Sequence, residues 1–197
     1  TAQAYSELIE RFRVQGLPFS VAVIDMDWHL VDVDAAHGSG WTGYTWNREL
    51  IPEPEQLLDR LHANGLRITL NVHPADGVRA FEDAYPAMAT ALGRDAQAGE
   101  PIAFDVTDRE FLAAYLEVLH RDLERQGVDF WWLDWQSGPH SRVIGVDPLW
   151  MLNHFHFLDS VRAGPGLTFS RYAGPGSHRY PVGFSGDTVI SWASLNF

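Results

Sequence analysis

Short apolar segments alternate with helical patterns along this chain, and this alternation limits its possible folds more than any other feature. Five segments are predicted to be strands: FSVAVID (19–25), LRITLNV (66–72), VDFWWLD (128–134), LTFSR (167–171) and TVISW (188–192). Strands that are buried on both faces and separated by helices form parallel β/α units. The sequence therefore predicts an α/β fold with a parallel sheet.

The segments between the strands carry the periodicity and the end signals of helices. PEPEQLLDRLHANG (52–65) opens with prolines and closes on glycine. DREFLAAYLEVLHRDLERQG (108–127) has Asp108 in the N-cap position and ends on Gly127. Further helices are predicted before Gly16, over about 79–92 and near 148–161. No repeat, linker or low-complexity segment divides the chain, so we expect one domain over residues 1–197.

Polar side chains stand where the predicted strands end. They are Asp25 and Asp27 after the first strand, Asn71 and His73 at the end of the second, Asp134 after the third and Arg171 at the end of the fourth. The carboxyl ends of the strands carry the active site of a β/α barrel, and doubly wound sheets also bind ligands at this edge. A complete (β/α)8 barrel has eight strands and needs ~250 residues. We therefore expect an incomplete TIM-type barrel of about five β/α units that lacks its last strands.

Composition excludes several classes of partner. The net charge is −12, from 14 Lys and Arg against 26 Asp and Glu, which argues against a nucleic-acid partner. No signal peptide, basic amphipathic stretch or apolar run of ~18 residues suggests a membrane. The chain has no cysteine, which excludes disulfides and thiolate metal sites and favours, without proving, a cytoplasmic location. The oligomeric state stays open.

The histidines at short spacing raise the question of a metal. NHFHF (153–157) carries two of them, but His154 and His156 are two residues apart on a predicted helix and do not share a face. We therefore predict neither a metal nor a cofactor.

Two aspartates on different rim segments suggest acid–base chemistry. Asp134 follows an aromatic strand, and Asp187 lies in a Ser-Gly-Asp turn of the Gly/Pro-rich stretch that begins at Arg171. Glycoside hydrolysis needs such a pair, with one carboxylate ionised and the other protonated. We expect Arg171 to favour the ionised form of Asp134 and a more apolar pocket to keep Asp187 protonated. Either aspartate could instead be structural, Asp134 as a hydrogen-bonded carboxylate and Asp187 as a turn cap.

Three motifs, IDMDWH, WWLDWQ and SRYAGPGSHRYPVGFSGDT, occur in the order typical of one enzyme family. From about residue 17 onward the chain resembles glycoside hydrolase family 31, the α-glucosidase and α-xylosidase clan, and the separation of Arg171 and Asp187 also matches. The resemblance implies a (β/α)8 barrel and metal-free, retaining hydrolysis of a terminal α-linked sugar from an oligosaccharide or glycoside. It implies that Asp134 is the nucleophile and Asp187 the general acid/base.

The remaining site candidates are expected to bind the substrate: Asp25, Met26, Trp41, Trp46, His73, Trp132 and Arg171. The resemblance implies that Asp25 binds sugar hydroxyls in subsite −1, with Arg171 as its basic neighbour and Trp132 as an aromatic wall. His73 follows a strand and is expected to line the pocket. Trp41 and Trp46 belong to the loop GSGWTGYTWN (38–47), whose aromatic residues either contact sugar or fold back over the barrel.

The chain departs from the common family pattern at two places. Trp135-Gln136-Ser137 replaces the Met-Asn-Glu that often follows the nucleophile, and NVHPADG (71–77) replaces an Asp-Pro form. Two other functions stay open: a non-catalytic or incomplete carbohydrate-binding relative, and an elimination of the α-glucan lyase type.

Overall fold

The structure is a computed structural model that describes residues 1–135, 137–171, 174–180, 182–184 and 186–196. Gln136, Ser185 and parts of the third family-like motif (Tyr172, Ala173 and Pro181) lie outside the described residues. Five parallel strands form one sheet in chain order: β1 (Val21–Ile24), β2 (Arg67–Val72), β3 (Phe130–Leu133), β4 (Phe169–Arg171) and β5 (Val182–Phe184). The sheet curls into a half-barrel, which confirms the predicted incomplete barrel.

Helices precede β1, connect the strands from β1 to β4 and follow β5. They are α1 (Ala2–Val14), α2 (Pro54–Ala63), α3 (Tyr85–Ala91), α4 (Arg109–Ala114), a π-helix (Tyr115–His120), α5 (Arg121–Gln126), α6 (Pro148–Ser160) and α7 (Trp192–Leu195). Asp108 caps α4 as predicted, because its carboxylate accepts hydrogen bonds from the N–H groups of Glu110 and Phe111. In the described part of the chain, no helix is long and apolar enough to cross a membrane.

The prediction of a strand over 188–192 is wrong. The fifth strand is Val182–Phe184, inside the Gly/Pro-rich stretch that begins at Arg171, and it pairs with β4 through Ser170 and Gly183. A three-residue strand with a central glycine has no readable periodicity. Val189 and Ile190 are fully or largely exposed, so their β-branched character does not place them in the sheet.

The register of the strands assigns their side chains to two faces. Ala22, Ile68, Leu70 and Leu133 belong to the hydrophobic core and face the helices. Because side chains alternate along a strand, the intervening residues point to the opposite, inner face of the half-barrel. The inner-face residues include Val21, Val23, Thr69, Asn71, Phe130, Trp132, Phe169, Arg171, Val182 and Phe184. The expectation that β1 is buried on both faces is wrong, since Val21 and Val23 are each 39% exposed on that inner face.

Candidate active site

Asp134 directly follows β3 at the carboxyl edge of the sheet, and three donors hold its buried carboxylate. Oδ1 accepts hydrogen bonds from Nε of Arg171 at 2.6 Å and from the backbone N–H of Trp135 at 2.8 Å. Oδ2 lies 3.2 Å from Nε2 of His73. The two side chains come from β4 and from the end of β2, the strands on either side of β3. The parallel sheet therefore brings together three of the polar strand ends predicted from the sequence.

These contacts determine the charge of Asp134. Burial acts to raise the pKa of its carboxyl group, but the hydrogen bonds from His73, Arg171 and the backbone of Trp135 outweigh burial and lower the pKa to about 2. The carboxylate is therefore ionised at neutral pH. The hydrogen bonds and the charge of Arg171 offset the cost of burying this anion, which explains why an aspartate can follow an aromatic strand.

Arg171 connects the two predicted carboxylates. Its Nη2 lies 3.7 Å from Oδ2 of Asp187, while its Nε contacts Asp134. The guanidinium carbon lies 5.0 Å from the ring centre of Phe184, within cation–π range. Gly186 approaches the same guanidinium so closely that a Cβ there would lie 2.2 Å from Nη1.

The surroundings of Asp187 differ from the expectation. Its side chain is 96% exposed, so the apolar pocket expected to keep it protonated is absent from the described residues around it. The carboxylate faces solvent because it follows the Gly186 turn, which has a φ of +83° and lies outside the sheet. Ser185, which precedes Gly186 in the sequence, lies outside the described residues.

His73 is placed deeper than predicted. Its side chain is only 1% exposed, so it contacts Asp134 from within the protein and does not line an open pocket. Nδ1 of its ring is buried and has no hydrogen-bond partner among the described residues. The hydroxyl of Thr42 donates to the backbone carbonyl of His73 and accepts from the N–H of Asp76 at 3.0 Å, which ties the 38–47 loop to this strand end.

The aromatic residues of the 38–47 loop divide into two groups. Trp41 is 38% exposed, and its ring lies 5.3 Å from that of His73. Trp46 is buried against Trp28, and its indole N–H donates to Gln126. The prediction that Trp46 contacts the substrate is therefore corrected: this residue folds back into the core, as the alternative for this loop foresaw.

Trp135 is a rim residue that was not among the predicted site residues, although it lies at one of the two departures from the family pattern. It is 54% exposed, and its ring centre lies 6.1 Å from that of Trp41. Its position directly after Asp134 was the available signal. Trp135 directly follows Asp134 in sequence, and Trp41 lies against His73, which contacts the same carboxylate.

The inner face below Asp134 is aromatic with a few buried polar atoms. Trp132 stacks on Phe169 at 5.4 Å and meets Phe184 edge-on at the same distance. Nε1 of Trp132 and both polar side-chain atoms of Asn71 are buried without a hydrogen-bond partner in the described part of the chain. Asn71 is paired with Trp132 in the strand register. A sugar hydroxyl is the kind of group that such atoms can bind.

Asp25 and Met26 follow β1, two strands away from Asp134. Asp25 is exposed, and its carboxylate accepts a hydrogen bond of 2.7 Å from the N–H of Met26, which caps a short 3-10 helix over Met26–Trp28. Met26 is half-buried. Neither residue is hydrogen-bonded to Asp134 or Arg171 among the contacts of the described residues.

The two helix histidines have separate partners. Nδ1 of His154 lies 3.1 Å from the hydroxyl of Tyr180, and Nε2 of His156 lies 3.1 Å from the hydroxyl of Tyr115. Over the described ranges, no group of three or more His, Asp or Glu side chains has the geometry to hold a metal ion.

A curled parallel sheet with helices on its outer face and a carboxylate site at its carboxyl edge defines a (β/α)-barrel domain. Over residues 1–197 the chain matches the family model described as the glycosyl hydrolases family 31 TIM-barrel domain. The chain belongs to glycosyl hydrolase family 31.

Solved structures share this fold. An α-xylosidase of family 31 from a soil metagenome, crystallised with xylose, aligns with a TM-score of 0.67 and 19% identity over 99% of this chain and 31% of that enzyme. The family 31 α-xylosidase from Xanthomonas citri gives 0.66 and 17% over 98% of this chain and 24% of that one. The cycloalternan-degrading enzyme from Trueperella pyogenes, solved as a covalent intermediate, gives 0.62 and 18% over 99% and 32%. The chain thus spans about a third or less of the length of these enzymes.

Proposed function

We propose that this chain forms the catalytic part of a retaining glycosidase that releases a terminal α-linked sugar. The observation that carries the proposal is the state of Asp134: a buried carboxylate, ionised at neutral pH, held by three donors at the carboxyl edge of a family 31 barrel. A nucleophile must be unprotonated and fixed in direction, and this carboxylate has both properties.

In the proposed reaction Asp134 attacks the anomeric carbon and forms a glycosyl ester. The glycosidic C1–O bond breaks, its electron pair goes to the leaving oxygen, and that oxygen takes a proton from Asp187. Water then attacks C1 while Asp187 removes a proton from it, and the C1–O bond to Asp134 breaks. Arg171 contacts both carboxylates, which supports their action on one substrate. Retention requires the two carboxyl groups to lie ~5–5.5 Å apart in the working enzyme.

The proposed substrate is an oligosaccharide or glycoside with an α-linked sugar at its non-reducing end. Trp132 supplies an apolar ring and an unpaired N–H to the inner face, and Asn71 supplies an amide without a partner among the described residues. Aromatic rings and buried polar groups together suit a sugar, which has apolar and hydroxyl-bearing faces. We also propose Asp25, Met26 and Trp41 as further substrate contacts.

The test is Asp134→Ala in the full-length protein, assayed with aryl α-glycosides of several sugars. We expect kcat/KM to fall ~10⁴-fold or more, the order of loss found when a covalent nucleophile is removed. Azide should restore release of the aryl group from an activated substrate and give the β-glycosyl azide. Asp122→Ala is the matched control, because Asp122 is an exposed aspartate that, in the described part of the chain, forms an ion pair with Arg125 of the same helix alone.

The first product seen by NMR decides the stereochemistry, and an α-anomer from an α-glycoside supports the proposal. A β-anomer would mean inversion, and an unsaturated or anhydro sugar would mean elimination. Substrate binding by the wild-type protein without release of the aglycone would favour a non-catalytic carbohydrate-binding relative. Wild-type turnover by Asp134→Ala would contradict the assignment of the nucleophile.

A further inference from the structure

We propose that His73 is a positioning residue: its Nε2–H selects Oδ2 of Asp134 as the attacking oxygen and stabilises that oxygen when the glycosyl ester breaks. The inference rests on the proposed function.

The hydrogen bonds of Asp134 make its two oxygens unequal. A carboxylate oxygen offers about two acceptor sites. On Oδ1 both are used, by Nε of Arg171 at 2.6 Å and by the Trp135 N–H at 2.8 Å. On Oδ2 the described residues supply one longer contact, from His73 at 3.2 Å. Oδ2 therefore keeps a free lone pair for C1, and Oδ1 serves as the anchor.

The contact with Asp134 determines which nitrogen of His73 carries hydrogen. An ionised carboxylate accepts and never donates, so Nε2 must hold the proton. With hydrogen on Nε2, the other ring nitrogen, Nδ1, is buried without a partner among the described residues. The opposite tautomer would set two acceptors, Nε2 and Oδ2, against each other and would bury an unpaired N–H, which costs more.

Backbone hydrogen bonds and strand pairing hold His73 next to Asp134. The residue before it, Val72, pairs with Leu133 in the sheet, and the N–H of Asp134 donates to the carbonyl of Val72 at 3.3 Å. The hydroxyl of Thr42 donates to the backbone carbonyl of His73. The ring is also covered by Trp41, edge-on at 5.3 Å. Its orientation toward Oδ2 is therefore fixed before any substrate arrives.

The role of His73 differs between the two steps of the reaction. When Oδ2 attacks C1, it loses its charge and becomes a weaker acceptor, while Oδ1 becomes the ester carbonyl and keeps Arg171 and the Trp135 N–H. When water replaces Asp134 on C1, the electron pair of the C1–Oδ2 bond returns to Oδ2. The Nε2–H of His73 then donates to a full negative charge. His73 should therefore assist the second step more than the first.

The experiment compares His73→Leu with His73→Gln in the full-length protein, because the Gln side chain can place an N–H near the position of Nε2. With an activated α-glycosyl fluoride, we expect His73→Leu to lower kcat about tenfold to hundredfold, the effect of one hydrogen bond to a charged group, and to change kcat/KM much less. The glycosyl ester on Asp134 should accumulate and be seen by mass spectrometry after rapid quenching. His73→Gln should recover most of the loss in kcat.

Three results would overturn the inference: equal falls of kcat and kcat/KM, no accumulation of the ester in His73→Leu, or a Gln variant as slow as the Leu variant. A second measurement does not need turnover. Long-range ¹H–¹⁵N NMR of the wild-type protein should show His73, assigned by its loss in His73→Gln, with hydrogen on Nε2, and hydrogen on Nδ1 alone would contradict the inference. If the wild-type protein hydrolyses no glycoside, the proposed function fails, while this tautomer still tests the contact.

Discussion

Arg171 holds the site together through one planar group. Its guanidinium contacts Asp134 at 2.6 Å and Asp187 at 3.7 Å and lies over the ring of Phe184. Because Arg171 stays charged at any physiological pH, it keeps a positive charge between the two carboxylates throughout the proposed reaction. A substitution outside the substrate pocket can therefore impair activity if it changes the orientation of the Arg171 guanidinium.

Gly186 offers the sharpest test of that direction. In Gly186→Ala, the new methyl group would lie 2.2 Å from Nη1 of Arg171, so the guanidinium must move. We expect kcat/KM to fall about 10²-fold, the loss typical of a displacement of about 1 Å in a catalytic arrangement. Steady-state kinetics with an aryl α-glycoside measure it.

Gly145→Ala is the control for backbone strain. Gly145 has a φ of +79°, close to the +83° of Gly186, but a Cβ at Gly145 would meet nothing within 4 Å. Both variants should lose similar stability, about 1–2 kcal/mol, because alanine is strained in this conformation. If both also lose the same activity, backbone strain and not the contact with Arg171 explains the effect.

Single residues were predictable where a strand end determined their place. Asp134 and Arg171 each terminate a neighbouring strand, so the sequence could bring them together without knowledge of the side-chain packing. The burial of Trp46 and the exposure of Asp187 depend on contacts between segments far apart in sequence, such as the bond from Trp46 to Gln126. No local pattern carries that information.

Among the elements, long periodic ones were predicted well and short ones were not. The helical pattern of 108–127 predicted the cap at Asp108, but not the π-helix over Tyr115–His120, which brings the ring of His120 within 2.8 Å of the carbonyl of Tyr115. The strand Val182–Phe184 was missed because three residues show no alternation. A π-helical turn within a helix and a three-residue strand are determined by the helix or strand that packs against them, not by their own sequence.

The loop over 38–47 is an element whose attachment can be tested by pH. Its backbone N–H at Tyr44 and its hydroxyl at Thr45 donate to the buried carboxylate of Glu82 at 3.1 and 2.6 Å. Burial raises the pKa of Glu82 to about 7 from 4.5, although these hydrogen bonds act to lower it. The folded protein therefore binds more protons than the unfolded chain between these two pH values.

The contribution of Glu82 to stability should consequently fall as the pH rises from 4.5 through 7, and Glu82→Gln should remove this contribution. The quantity to compare is the free energy of unfolding of Glu82→Gln minus that of wild type. By linkage, we expect this difference to be up to about 3 kcal/mol larger at pH 8 than at pH 4. Urea unfolding at both pH values measures it, with the exposed Glu49→Gln as control. A difference between Glu82→Gln and wild type that is the same at both pH values would show that Glu82 does not titrate in this window.

At the scale of the whole molecule, the half-barrel leaves its inner face partly open. The sequence predicted five β/α units from their alternation, but it could not show which strand faces would be covered. Val21, Val23 and Val182 are 39%, 39% and 40% exposed on the inner face. Among the described strands, β1 pairs only with β2 and β5 only with β4, so two sheet edges also carry free backbone groups.

Residues 1–197 expressed by themselves should therefore bind the dye ANS and associate as the protein concentration rises, because apolar side chains on one curved face form a patch.

Replacing Val21, Val23 and Val182 by threonine keeps the β-branched shape and exchanges one methyl group of each side chain for a hydroxyl. We expect this triple variant to show less ANS fluorescence and a lower weight-average mass in sedimentation. The control carries threonine at Ile144, which is 100% exposed but lies in a loop outside the sheet. Apolar residues scattered singly over a surface form no patch, so the control should behave like the unsubstituted chain. An equal loss of ANS binding in both variants would mean that the curved inner face is not the surface responsible for ANS binding and association.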